Sequence, residues 1–354
     1  MLFAVLSACL AADPAPAPAA CGPVLLSDRS FDTVASCREA APRMAGDWLA
    51  DHPGLVRGGV ACRALSDLPA LPLQPVAEGV HVHIGEIAQF EDSPDGWIAN
   101  LGVVIGRDGI AVIDAGTSRA QGQALLAAIR TLSDTPISHL ILTHMHPDHV
   151  LGASVFAEAG ATVVGHARLA DALQARGPVY LDNMTRLYGP GAMIGTRLAL
   201  PDVAVSGTLD IDLGDRVLTL TAVGPAHSDT DLTVLDRATG TLFAGDLVFR
   251  GLTPIVDGSL TGWLDWIEGM DHDGPVVPGH GPVADGWAEA VGAQRTFLAA
   301  LHEATRRAVD AGLPLSRAVP AIVAALRPLA GDWAAFPDSA ARNATAAFSE
   351  LEWQ

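Results

Sequence analysis

The stretch Thr143-His144-Met145-His146-Pro147-Asp148-His149-Val150-Leu151-Gly152 constrains this chain more than any other. It follows the apolar run Ile137 to Leu142, which reads as a buried strand, so its polar residues fall on a strand-to-helix turn. Imidazole and carboxylate are, with thiolate, the groups that zinc binds, and three histidines plus an aspartate within six residues cannot all reach one ion without strain. The spacing predicts that His144 and His146 face one ion while Asp148 and His149 face a second. Downstream, His227 in Gly-Pro-Ala-His-Ser-Asp, Asp246 in Phe-Ala-Gly-Asp and His280 in Pro-Gly-His-Gly each end an apolar strand. Seven candidate ligands suffice for two ions.

Strand patterning covers Val80 to Ile84, Ile98 to Ile105 and Ile110 to Asp114, then returns over Leu209 to Leu213, Val217 to Val223, Leu232 to Leu235 and Thr241 to Ala244. Two such sets, each followed by helix and each delivering ligands at strand ends, predict an α/β fold, a four-layer αββα sandwich with a pseudo-repeat. Helices over Trp287 to Ala311, Leu315 to Leu326 and Ser339 to Leu351 would cover one sheet. Behind the first motif, Gly152 allows close approach of a neighbouring backbone. Residues 171–202 lack a clean period and read as a substrate lid carrying Tyr188. The acidic loop from Gln89 to Trp97 is a second candidate, with Trp97 at the mouth; the alternative is an ordinary surface hairpin. His81 and His83 alternate on a strand and read as solvent-facing, and His166 as a residue near the site mouth.

Forty acidic residues stand against 21 basic ones, all of them arginine. The net charge of −19 excludes nucleic acid and anionic lipid as partners and leaves a small-molecule substrate. Met1 to Ala12 is apolar, and Asp13 to Ala20 is a Pro-Ala run, so residues 1–20 resemble a secretory signal lacking its leading positive charge. Leu6-Ser7-Ala8-Cys9 also resembles a lipoprotein box that would anchor lipid at Cys9. Either form points to a periplasmic or secreted protein, and the segment is too short for a transmembrane helix. Residues 21–75 read as a small module with a helix from Asp32 to Leu49 and a Leu-Pro linker at its end. In an oxidising compartment Cys37 and Cys62 would close a disulfide and leave Cys21 over. The main domain then spans residues 76–290, and helices fill 291–354.

HxHxDHxxG, a lone His, Gly-Asp and Gly-His-Gly, in that order, resemble the metallo-β-lactamase superfamily across residues 76–290. The resemblance implies that superfamily's αββα sandwich. In its glyoxalase II pattern His144, His146 and His227 would hold one ion, Asp148, His149 and His280 the other, and Asp246 would bridge. Asp148 would also orient a hydroxide shared by two Zn2+, the nucleophile for an ester, thioester or amide carbonyl. The superfamily places Asp114, in Val-Ile-Asp-Ala-Gly, behind a ligand histidine as hydrogen-bond acceptor; the alternative is a residue preceding a helix. Aspartate at position 246, where β-lactamases commonly carry cysteine, favours the thioester hydrolases, and a chain without lysine fits glutathione poorly. Ala-His-Ser-Asp-Thr-Asp and Gly-Asp-Leu-Val-Phe, with Pro254 to Trp263, resemble more narrowly the quinoprotein relay system zinc metallohydrolases. That implies a functional link to a PQQ-dependent dehydrogenase. The same motifs also serve mononuclear iron enzymes like the persulfide dioxygenases, which would use His144, His227 and Asp246. A metal-binding accessory without catalysis is the third reading.

Overall fold

The computed structural model describes residues 1–11 and 20–353. The N-terminal unit comprises β1 (Leu2–Leu10), β2 (Cys21–Leu25), α1 (Val34–Ala50) and β3 (Leu55–Ala64), with the strands ordered β2-β1-β3 and antiparallel. Helix α1 starts at Thr33, whose side chain accepts the Ser36 amide, and buries Cys37, Ala41, Ala45 and Trp48 at helical spacing.

Residues 2–10 form the middle strand of this unit. Phe3, Ala4, Leu6 and Ala8 are buried in the central strand of the sheet. Cys9 pairs with Cys21 across neighbouring strands and forms a disulfide with it. Cys37 and Cys62 form the expected second bridge, tying α1 to β3, and Cys21 is therefore not left over. The Pro-Ala linker falls on residues 12–19, outside the described residues. The first strand of the unit starts at Leu2. It packs on the outer helices of the main domain, where the Leu25 amide donates to Gln123 and the Trp48 indole to Glu158.

The main domain opens with β4 (Gln74–Ala77), β5 (Val80–His83), β6 (Leu101–Ile105), β7 (Ile110–Ile113), α2 (Arg119–Leu132), β8 (Ile137–Leu142), α3 (Pro147–Val150), α4 (Ser154–Glu158), β9 (Thr162–His166), α5 (Leu169–Tyr188) and β10 (Val203–Val205). These strands make one sheet in the order β10-β9-β8-β7-β6-β5-β4. A second sheet, β11-β12-β13-β14-β15, follows from β11 (Thr208–Asp212), β12 (Val217–Ala222), β13 (Leu232–Asp236), β14 (Thr241–Phe249) and β15 (Val276–His280). Its helices are α6 (Leu260–Gly269), α7 (Trp287–Asp310), α8 (Leu315–Leu326) and α9 (Phe336–Leu351).

Side-chain alternation builds the layers. On β6, Leu101 and Val103 face the helix layer that includes Leu125 and Ile129, while Val104 joins Val82, Ile113 and Ile141 against Leu218, Leu220, Val234 and Phe243 of the second sheet. The outer face of the second sheet meets Trp263, Phe297 and Phe348 of its own helices. Strands covered on both faces read as continuous apolar runs, which is why their limits are close to those expected. The αββα sandwich is the observed architecture.

Residues 171–202 differ from expectation. Most of the segment is the twenty-residue helix α5, whose buried positions Leu169, Leu173, Gly177 and Met184 keep helical spacing. Gly177 and Pro178 interrupt the apolar pattern, but Gly177 is small because Leu198 lies against it, 2.3 Å from where a Cβ would stand. This wall is helix and not irregular chain. His83 also departs from the solvent-facing reading: it is buried, with Nδ1 3.1 Å from the Pro72 carbonyl.

Candidate metal centre

Thr143 to Asp148 form the turn from β8 into α3, with Pro147 preset for the first helical turn. Gly152 packs as expected: a Cβ there would stand 2.0 Å from the Ala115 carbonyl. That contact holds the motif against the end of β7, where Asp114 adopts φ of +60°. The carboxylate of Asp114 accepts the Thr143 amide and hydroxyl, both at 2.8 Å, and its Oδ2 lies 2.8 Å from His149 Nδ1. Ser118, not Asp114, caps α2. Asp246 departs in one respect from its expected place at a strand end. Strand β14 continues through Phe249, and its pairing with β15 slips on both sides of Gly245, which has φ of +52°. Bulged strands re-aim side chains, and here the bulge turns Asp246 toward the histidines.

The seven residues form two groups whose inward atoms lie within 4.8 Å of one another: His144, His146, His227 and Asp246; and Asp148, His149 and His280. His146 Nδ1 is 3.1 Å from His144 Nε2 and 2.9 Å from His227 Nε2. Asp246 Oδ2 lies 3.5 Å from His144 and 3.4 Å from His227, while its Oδ1 lies 3.2 Å from His149 and 3.4 Å from His280. One carboxylate therefore faces both groups. Asp148 Oδ2 completes the second, 3.3 Å from His280 and 3.5 Å from His149.

The outward nitrogens have partners that set the tautomers: Ile255 O for His227 at 2.7 Å, Ile98 O for His280 at 2.9 Å, and Asp114 for His149. Each of these three rings places a proton outward and a lone pair inward. His149 Nε2 and Asp246 Oδ1 are buried without a hydrogen-bond partner. Converging lone pairs and orphaned donor atoms of nitrogen and oxygen type fit divalent metal ions. Asp114→Asn is expected to weaken metal affinity about 10- to 100-fold. Competition with a chromophoric chelator measures this, and unchanged affinity would contradict the orienting role.

Without metal, His144 and His227 shift in the opposite direction to His280. Burial drives His144 down to about 4 and His227 well below its ordinary value. Burial also opposes protonation of His280, yet the carboxylates of Asp246 and Asp148 outweigh it and raise that ring to about 9. A histidine raised on folding contributes stability that is full below its ordinary 6.5 and is lost as pH climbs through its folded value. The metal-stripped protein is therefore expected to lose stability between pH 6.5 and about 9, and the loaded protein, whose site protons are displaced, is not. Denaturant titrations at both ends of that window check it; equal stability of the stripped protein would contradict it.

Both groups open into a cavity of about 640 Å³. Phe249 forms part of its apolar wall, stacked on His280 at 5.2 Å and 5.5 Å from His227. The loop at Gln89, Phe90 and Glu91 and the helix α5 supply the rim. Trp97 and Tyr188 do not line it. Trp97 packs into the core, and Tyr188 donates to the Phe90 carbonyl at 2.7 Å, bracing the rim loop against α5. His81 lies on β5 away from the site, and His166 accepts the Arg168 amide outside the cavity. Sequence reasoning missed Asp257, whose Oδ2 is 3.1 Å from His146 Nε2 and pairs with Arg176. No local motif marks a residue that meets its partners at separations of 111 and 81 positions.

The profile of the Metallo-beta-lactamase superfamily matches residues 94–321, which include all seven converging residues. The chain belongs to that superfamily. Among curated members it is similar to an acyl-coenzyme A thioesterase, MBLAC2, of Gallus gallus: 31% identical over 188 residues, 49% of this chain and 64% of that protein. It is also similar to a linear primary-alkylsulfatase of Pseudomonas sp., 36% identical over 62 residues, 18% of this chain and 12% of the other. The chain thus spans less than two thirds of either relative. Among solved structures, a double mutant of the sec-alkyl sulfatase PisA1 superposes with a TM-score of 0.60 at 17% identity, covering 82% of this chain and 54% of that one. A metallo-beta-lactamase from Pontibacter korlensis gives 0.52 at 20% identity, covering 65% and 99%. These two likenesses concern the fold alone.

Proposed function

We propose that this metallo-β-lactamase superfamily member is a binuclear zinc hydrolase acting on the carbonyl of a small ester, thioester or amide. The observation that carries the reading is the two-sided Asp246, one oxygen toward His144 and His227 and the other toward His149 and His280. Two zinc ions bound there would lower the pKa of a water and polarise an acyl oxygen. The chain supplies the rest. In this reading His144, His146 and His227 ligate one ion, Asp148, His149 and His280 the other, and Asp246 both. Asp148 lines the cavity and is held well below the usual carboxylate range: burial works the other way, but His149 and His280 outweigh it. It is thus a ready acceptor for orienting the attacking water. Phe249, Leu252 and Ile255 keep one side of the cavity apolar, which strengthens every charge interaction inside it.

The thioesterase and alkylsulfatase relatives support ester-type substrates. Two disulfides support a periplasmic or secreted setting. The link to a PQQ-dependent dehydrogenase rests on the resemblance of the runs around His227 and Asp246, and co-isolation with such an enzyme tests it. The function itself is tested by screening the zinc-loaded chain on matched esters, thioesters and lactams. Asp148→Asn is expected to lower kcat by at least about 100-fold on the best substrate. A chain that binds metal but turns over none of the panel would mark a binding accessory instead.

A further inference from the structure

We propose that the rim of the cavity holds a subsite for a negatively charged group on the substrate, formed by Arg342 with Arg176 nearby in the same lining. The inference rests on the hydrolase reading and adds the substrate class: a small acyl ester or thioester whose acyl chain ends in a carboxylate or a similar oxyanion.

Several exposed arginines, among them Arg38, Arg63, Arg295 and Arg342, form no side-chain hydrogen bond or ion pair among the described residues, and of these four Arg342 is the one that lines the cavity of the metal centre. The cavity is lined by Arg176, Arg186 and Arg342. Arg186 is engaged by Asp182 and Asn183, both at 2.7 Å. Arg176 pairs with Asp257, whose carboxylate also faces His146, so that run from imidazole to guanidinium is close to neutral. Arg342 forms no hydrogen bond or ion pair among the described residues. Its charge acts on the Tyr180 hydroxyl, which also lies beside Arg176.

Position makes this charge useful. The residue next to Arg342, Asn343, is buried and bonds the Val256 amide at 2.9 Å and the Pro254 carbonyl at 2.7 Å. Further along α9, Glu350 accepts the Ser259 hydroxyl and the Leu260 amide, both at 2.7 Å. The helix is thus fastened to the loop that carries Ile255, the partner of His227, and Asp257, the partner of His146. Arg342 is presented from a support registered to the ligand histidines. Arg176 stands one carboxylate oxygen away from His146. A planar guanidinium matches a carboxylate with two parallel hydrogen bonds, and a neutral acyl chain would leave Arg342 unpaired. Glu91 and Asp257 line the same cavity, which favours one small anionic group over a polyphosphate.

The test uses the full zinc-loaded chain and two esters with the same leaving group, p-nitrophenyl butyrate and mono-p-nitrophenyl glutarate. Arg342→Ala is expected to lower the ratio of kcat/KM for the glutarate half-ester to that for the butyrate about 10- to 100-fold. Arg342→Lys should recover part of that loss. An unchanged ratio overturns the proposal. Calorimetric titration with glutarate reads the subsite without turnover: saturable binding weakened by Arg342→Ala supports it, and no binding to the unmodified chain overturns it. If neither ester is hydrolysed while glutarate binds through Arg342, the hydrolase reading falls and the subsite stands.

Discussion

Asp246→Ala is expected to reduce bound metal to at most one ion per chain and to lower kcat/KM by at least about 1,000-fold, a loss of roughly 4 kcal/mol of transition-state stabilisation. Asp246 is the residue whose carboxylate oxygens face both groups, at 3.2 to 3.5 Å from four imidazole nitrogens. The backbone is shaped around it. A Cβ on Gly279 would stand 1.9 Å from Asp246 Oδ1, so no side chain fits there while the carboxylate keeps its place. Asp246→Glu is expected to fail as well, because an extra methylene pushes the carboxylate into the same backbone. Metal analysis with steady-state kinetics reads both effects. A variant that keeps two ions and activity within tenfold would show that the bridge is not made by this residue.

Glu158→Ala is expected to destabilise the protein by about 3 kcal/mol, beginning at the contact between the N-terminal unit and the main domain. Arg119 is only 1% exposed, and its guanidinium forms two hydrogen bonds to Glu158, at 2.9 and 2.6 Å. Glu158 also accepts the Trp48 indole at 3.0 Å, and the Arg119 guanidinium lies 5.0 Å from the ring centre of Trp48. Removing the carboxylate leaves a buried cation whose remaining neighbours supply no negative charge. Denaturant unfolding followed by tryptophan fluorescence checks this, with near-unchanged stability as the contradicting result. Glu158→Gln keeps the shape and is expected to lose less.

Legibility followed the physics of each element. The apolar runs at Ile137–Leu142 and Leu315–Leu326 have the limits read from sequence, because burial on both faces or one clean helical face leaves a continuous signal. All seven converging residues were legible, since a metal needs its donors in short fixed motifs at strand ends. Asp114 was legible as a partner of a histidine, and it meets His149. The pairing of the first strand was not legible: Leu2–Leu10 is an apolar run, and nothing local says that Cys9 will meet Cys21 in a sheet. Helix α5 was misread because Gly177 and Pro178 weaken its pattern, although the contact that fixes Gly177 lies on Leu198. Tyr188 and Trp97 have the chemistry of contact residues but bury it in support of the rim. Arg342 and Asp257 carried no signal, since what distinguishes them is the neighbour that each does or does not have.

The measurement that tests the central claim most directly is the metal content of the purified full-length chain, identity and stoichiometry together. Two zinc ions per chain is the result expected from two donor groups joined at Asp246. One iron per chain, with no second ion bound at Asp148, His149 and His280, would contradict it.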